Sequence, residues 1–314
     1  MALVAVVAAL VVFVYPGMRY DSGSTKRSRP HVGHSAAAPA PLRRAAHGKG
    51  HGHGHGTPSP PAVAAPSAVA DPTSADWHRA LRRQPLLISR GQVGSSKLIA
   101  LTFDADMTQG MQSLLARHTV ASFADHATIA YLHSSHTPAT IFMTGLWAEQ
   151  YPTLARSLAG DPGLEIENHS FDHRGWFGTC FGLPLVKPQS SAAAKRAEVR
   201  QAADDLARYA NVVPHLFRFP GGCYGPGDTD VVAAAGERAV QWSIDSGDAF
   251  NPDAAAIARH VIASAAPGGI VVMHLVGAPN APATAASLHV IVPALLARGY
   301  RFVTMAQLLS VTPT

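Results

Sequence analysis

Two aspartates one residue apart, Asp104 and Asp106, end an apolar run in the stretch ALTFDADMTQG at 100–110. Burying one unpaired carboxylate costs several kcal/mol, and a like-charged neighbour adds repulsion. Either a positive charge sits beside the pair, or the pair lies exposed at a turn. Two histidines four residues apart, His169 and His173 in NHSFDH, offer imidazoles that share a face if the segment makes a helical turn. Two imidazoles and one carboxylate form a three-ligand site with open positions, the donor set of hydrolytic zinc. Chance pairing would explain that spacing taken alone; beside the aspartate pair, the metal reading is the stronger. A divalent cation would supply the charge the carboxylates require, with one aspartate as ligand and the other free as a base.

From Lys97 onward, short apolar runs alternate with helical stretches. Strands are predicted at 98–103, 139–143, 164–168, 216–219, 240–244, 269–274 and 300–304, and a helix at 192–210, where apolar positions recur at three and four. Strands alternating with helices imply parallel βαβ units, so the fold class is α/β and the repeat number points to a TIM-like barrel. In such barrels chemistry gathers at the C-terminal ends of the strands. Asp104 and Asp106, His169 and His173, Arg218, Asp245 and Asp248, and His274 all stand at such ends. Five strands each leave a chemically capable residue at one face. That is a site.

The chain has 314 residues and a net charge of +5. Residues 1–70 hold seven Lys or Arg and one acid, leaving 18 basic against 19 acidic residues in the remainder. A nucleic-acid-binding domain carries its own basic patch, and this one has no surplus. The positive charge belongs to the tail, which can contact anionic membrane or wall polymers, or serve only as a solvated linker. Residues 2–14, ALVAVVAALVVFV, are too short to span a bilayer and read as the apolar core of a signal peptide or signal anchor. The expected division is an export segment at 1–20, a disordered Pro/Ala/His/Gly-rich linker at 21–75 and a catalytic domain at 76–314. The expected location is outside the cell, in the wall or anchored facing outward. The linker contains HGKGHGHGHG at 47–56, a tract that captures transition metals without selectivity.

The ordered motifs TFDAD, NHSFDH, RFPGG, DSGD and VVMH resemble those of the polysaccharide deacetylases, carbohydrate esterase family 4, over roughly residues 97–309. The connecting stretch PATIFMTGLWAEQYP at 138–152 also reads like that family. The resemblance implies a distorted barrel of seven or eight β/α units that removes acetyl groups from an amino-sugar polymer, either cell-wall peptidoglycan or a chitin-like oligosaccharide. The enzyme would be a hydrolase of carbon–nitrogen bonds other than peptide bonds. It implies Asp104 as general base, Asp106, His169 and His173 as ligands of a divalent metal, zinc first, and Arg218 as the group that orients Asp104. His274 would be the general acid, tuned by Asp248. Gly221 would offer an oxyanion N–H, and Phe250 and Val272 would complete the substrate pocket. A monomer is expected.

Two departures stand out. Ala105 separates aspartates that the family more often has adjacent, although an i, i+2 spacing keeps both on one strand face. Ala249 stands where the family often has Trp, leaving either a wider acyl pocket or Phe250 as its wall. Two rivals are open: a glycosidase using Asp104 and Asp248 as paired carboxylates, and a wall-binding protein without activity. No Gly-x-Ser-x-Gly elbow is present for a serine hydrolase. Cys180 and Cys223 follow the second and third motifs at the same barrel face. In an exported protein they are expected to form a disulfide, with two half-buried thiols as the alternative. His274 ends an apolar strand that should depress its pKa, and Asp248 is the anion able to offset that burial.

Overall fold

The computed structural model describes residues 75–185 and 191–310. The expected export segment, the His-Gly tract and nearly all of the linker lie outside the described residues. Among the described residues, nine strands form one all-parallel sheet: β1 (Leu87–Ile88), β2 (Leu98–Ala105), β3 (Ala139–Met143), β4 (Leu164–Asn168), β5 (Leu216–Phe217), β6 (Arg238–Val240), β7 (Ile244–Asp245), β8 (Gly269–His274) and β9 (Arg301–Phe302). Their order is β1-β6-β5-β4-β3-β2-β8-β7, with β9 beside the start of β2. Helices follow most strands, and the architecture is a distorted α/β barrel.

Every residue of β2 is buried, as the uninterrupted apolar run requires of a strand covered on both faces. The side-chain period of two divides it. Ile99, Leu101, Phe103 and Ala105 pack outward in the large cluster between sheet and helices; Leu98 and Ala100 pack into the barrel with Phe142, Leu216, Val240 and Ile270. Asp104 has the inward parity, so Asp106 continues it into the mouth. The opposite end is closed by the helices Ala75–Arg83 and Met305–Leu309, whose Trp77, Leu81, Met305 and Leu308 join the inner cluster. Half-buried Glu165 on β4 accepts the Ala306 N–H at 3.0 Å and the Thr140 hydroxyl at 2.7 Å, capping the first turn of the Met305–Leu309 helix. The predicted helix matches the observed helix Ala192–Ala210, begun by the Ser191 hydroxyl and ended by Asn211 in the left-handed conformation.

One predicted strand is corrected. The run at 240–244 is not a strand but the break between two: pairing stops at Val240 and resumes at Ile244 on a different neighbour. The three intervening residues cross from one sheet edge to the other. The Gln241 N–H reaches the Ile88 carbonyl at 2.7 Å and the Ser243 N–H reaches the Ile270 carbonyl at 3.1 Å. The chain itself, rather than a ladder, bridges this part of the wall. β5 and β9 are also shorter than predicted, and the two-residue β1 was not predicted.

Candidate active site

Asp106, His169 and His173 converge at the mouth. Asp106 Oδ1 lies 3.3 Å from His169 Nε2 and 3.4 Å from His173 Nε2, and the three donor atoms fall within 4.8 Å of one another. The helical turn expected for NHSFDH is not what joins the histidines. Ser170 and His173 both take left-handed backbone conformations, with φ of 69° and 59°, and fold an irregular turn instead. Asn168 Oδ1 holds that turn by accepting the Ser170 N–H, and the Ser170 hydroxyl accepts the His173 N–H. Strained backbone of this kind persists where the surroundings over-determine it.

The donor set fits a cation. His169 Nδ1 is 2.9 Å from the Arg218 carbonyl, which can only accept, so the ring proton sits there and Nε2 turns its lone pair to the site. Despite their proximity, Asp106 Oδ1 and His169 Nε2 are buried without a hydrogen bond of acceptable geometry. Buried acceptors facing each other without donors are costly unless a positive ion lies between them. Burial drives the His173 pKa down to about 4 against the pull of Asp106, leaving its ring neutral and able to ligate. Burial would raise the Asp106 carboxyl, but the His173 and His169 rings hold it well below the usual carboxylate range. Burial also opposes protonation of His169, and there the Asp104 and Asp106 charges prevail and raise its pKa.

Asp104 is secured from the other side. Fully buried Arg218, just past β5, donates from Nη1 to Asp104 Oδ1 at 2.7 Å. The guanidinium carbon stacks 4.0 Å over the Phe142 ring and 5.6 Å from Trp242. Burial lowers the Arg218 pKa while Asp104 supports its charge. The second oxygen, Oδ2, lies 3.6 Å from His169 Nε2 and faces the donor cluster. Arg218 therefore fixes one oxygen and leaves the other toward the chemistry.

His274 is the register partner of Asp104 on the adjoining strand, so β2 and β8 set these two groups side by side. Its Nδ1 lies 2.7 Å from Asp248 Oδ1. Asp248 is buried and fully engaged: it also accepts the Ser246 hydroxyl at 3.0 Å, the His274 N–H at 2.9 Å and the Thr284 hydroxyl at 2.6 Å. Burial alone would depress His274, but the Asp248 charge overrides it and lifts the pKa to about 10; the same pairing lowers Asp248 against its own burial. With Nδ1 engaged, Nε2 is the nitrogen available to a substrate.

The remaining candidates are spread more widely. Gly221 turns at φ 59° in the three-residue turn Pro220–Gly222, where the Gly222 and Cys223 amides are consumed by the Phe219 and Pro220 carbonyls. Val272 is buried on the same face of β8 as His274, one pleat below it, and forms floor rather than contact surface. Phe250 stands at the rim, 63% exposed, on a backbone with φ 55°. Asp245 is exposed and accepts the Gly247 N–H, a turn role outside the cluster. Cys180 and Cys223 are joined as a disulfide with Cα atoms 5.7 Å apart. Sequence reasoning missed Thr284 and Trp242: the first reads as an ordinary helix start, and the second was absorbed into the supposed strand at 240–244.

Comparison with known proteins places this geometry. The family described as polysaccharide deacetylase matches residues 91–240. A peptidoglycan-N-acetylglucosamine deacetylase of Bacillus cereus is 30% identical over 219 residues, covering 68% of this chain and 89% of that protein. A chitooligosaccharide deacetylase of Sinorhizobium fredii is 30% identical over 182 residues, covering 54% of this chain and 78% of its own. Among solved structures, a family pseudoenzyme from Bacillus anthracis superimposes with a TM-score of 0.56 at 20% identity, covering 72% of this chain and 69% of that one. That last likeness concerns the fold alone.

Proposed function

Because this chain belongs to the polysaccharide deacetylase family, we propose that it is a metal-dependent hydrolase of N-acetyl groups on an amino-sugar polymer, peptidoglycan first and chitin-like oligosaccharides second, releasing acetate. The observation that carries the reading is the convergence of unpaired acceptors on Asp106 and His169 beside an Arg218-held carboxylate and a paired histidine. Asp106, His169 and His173 would hold the ion. A bound divalent ion, zinc in the first instance, would polarise the acetyl carbonyl and make water a stronger acid.

The chain's own residues supply the rest. Asp104 Oδ2 accepts a proton from the attacking water while Arg218 holds the carboxylate in place through Oδ1. The water oxygen bonds to the acetyl carbon, and the negative charge that develops on the carbonyl oxygen is met by the Gly221 N–H. His274 Nε2 then gives its proton to the amide nitrogen as the carbon–nitrogen bond breaks, leaving acetate and a free amine. Asp248, held by Thr284 and Ser246, keeps the imidazolium proton available. The Cys180–Cys223 bridge and the apolar run at 2–14 support action outside the cytoplasm, where disulfides persist.

The glycosidase rival loses support because Asp248 is buried and its oxygens are committed to four donors, so it cannot flank a glycosidic bond. The inactive wall-binding rival is opposed by the complete donor set. Purified protein incubated with peptidoglycan, chitooligosaccharide and acetyl-xylan, with and without chelator, tests the proposal by acetate release. Chelator-sensitive acetate from an N-acetylated glycan is expected; new reducing ends without acetate, or no product from any glycan, would overturn it.

A further inference from the structure

The loops that follow β4 and β5 carry an unusual share of exposed apolar surface. Phe177 is 56% exposed and Phe181 58%, with Tyr224 and Leu185 beside them in the sequence of the same two loops. Both loops leave the strand ends that bear His169, His173 and Arg218, so they rise from the mouth of the barrel. Their positions are enforced. The Cys180–Cys223 disulfide ties one loop to the other, and Gly175 and Leu185 close the base of the first with a bridge. Cys180 and Phe181 take left-handed backbone, φ 37° and 52°, an unfavourable choice for side-chain-bearing residues. Phe177 lies so closely over Gly225 that a Cβ there would meet its ring at 2.4 Å, and Phe181 lies 3.3 Å from where a Cβ on Gly221 would stand.

Beneath these rings runs an aromatic stack. Buried Trp176 contacts Phe217 and Phe219 with centroids 5.2 and 5.1 Å away, and Phe219 stacks on Tyr224 at 5.1 Å. The rings are thus displayed on a rigid base. Neither 175–185 nor 219–227 contains Asp, Glu, Lys or Arg. Exposed aromatic rings beside a catalytic mouth suit a ligand that has apolar faces. Pyranose rings meet this condition through their C–H faces, whereas an anionic polymer would require cations, and neither 175–185 nor 219–227 holds one.

We propose that Phe177 and Phe181, with Tyr224, form a sugar-stacking shelf that binds residues of the glycan flanking the one being deacetylated, and so sets a preference for longer chains. The proposal rests on the deacetylase reading and adds the residues that select chain length. Wild type, Phe177→Ala, Phe181→Ala and the double variant are compared by kcat/KM on the dimer and the pentamer of N-acetylglucosamine. In the double variant the pentamer-to-dimer ratio is expected to fall about tenfold, the loss appearing in KM rather than kcat. If the double variant melts below the assay temperature, Phe181→Leu, which keeps bulk without the ring, carries the same comparison. An unchanged ratio overturns the shelf.

Failure of the deacetylase reading looks different: wild type then releases no acetate from either oligomer. Calorimetric titration of the pentamer into Asp104→Asn protein decides the shelf independently of turnover. Weakening of Kd by about tenfold on adding the two alanines supports it, and equal Kd values refute it. Sedimentation of the same proteins provides the last arm. A wild-type dimer that the alanines dissociate would identify a second copy of the chain as the occupant and end the sugar assignment.

Discussion

Asp248→Asn isolates the electrostatic support of the candidate general acid. His274 is raised from its ordinary 6.5 to about 10, with burial opposing and the Asp248 charge as the largest favourable contribution. That difference corresponds to about 5 kcal/mol at 1.36 kcal/mol per pH unit, an upper bound for a side chain 23% exposed to solvent. Asparagine keeps an oxygen for Nδ1–H but removes the charge, and it turns an amide donor toward the His274 N–H and the Thr284 hydroxyl. The alkaline limb of the kcat/KM profile should therefore move down by at least ~2 pH units, because the imidazole loses its proton earlier. Bound metal would lower His274 in both proteins and leave the difference between them. Thermal melts give a second readout. A histidine with a raised folded pKa contributes stability that is complete below 6.5 and lost as pH rises through about 10. Wild type should lose stability across that window, and the variant should show a flatter dependence there. Metal content measured on both proteins guards against a collapsed site. If the variant retains its metal and its rate profile overlays that of wild type, Asp248 does not tune the acid and the reasoning fails.

The other predictions separate binding from chemistry. Asp106→Ala, His169→Ala and His173→Ala should each lower bound metal and turnover together, read by metal analysis and acetate release, since three ligands leave no redundancy. Full metal in all three would remove the ligand assignment. Asp104→Asn should keep its metal while turnover falls ~100-fold or more; loss of metal would mean that the roles of Asp104 and Asp106 are exchanged. Glu237 offers a test of stability away from the chemistry. Burial holds its pKa well above the ordinary 4.5 despite the hydrogen bond from Asn168, and Oε2 has no partner. A raised carboxyl contributes stability present below 4.5 and lost as pH rises through its folded value, so Glu237→Gln should raise Tm by ~3 °C or more at pH 8 and little near pH 4.5. Equal Tm changes at both pH values would count against a buried, protonated Glu237.

Which parts of this arrangement were legible in the sequence follows from how each part is specified. Strands β3 and β8 match their predicted bounds because both of their faces are covered, so each reads as a compact apolar segment between turn signals, and β4 matches although it carries two glutamates and starts half-buried. Where sheet pairing changes neighbours, that signal misleads. Val240, Trp242 and Ile244 alternate like a strand, yet Gln241 and Ser243 spend their N–H groups on opposite edges of the barrel wall. Two-residue β1 carries too little pattern to detect. The same division runs through the site. Asp104, Arg218 and His274 were readable because a strand end and a period of two decide where such a residue points. Thr284 was not, since its link to Asp248 depends on where the 275–283 segment delivers the start of a helix, Thr284–Ala297, a tertiary fact with no local pattern. The histidine pair lies between these cases: the spacing identified both residues, but left-handed Ser170 and His173, not a helical turn, bring them together. Local pattern thus names the groups at the ends of strands, while the loops decide what supports them. The disulfide-linked aromatic loops, whose residues belong to no periodic element, are consequently where, under the proposed function, a glycan preference of this chain's own would be set.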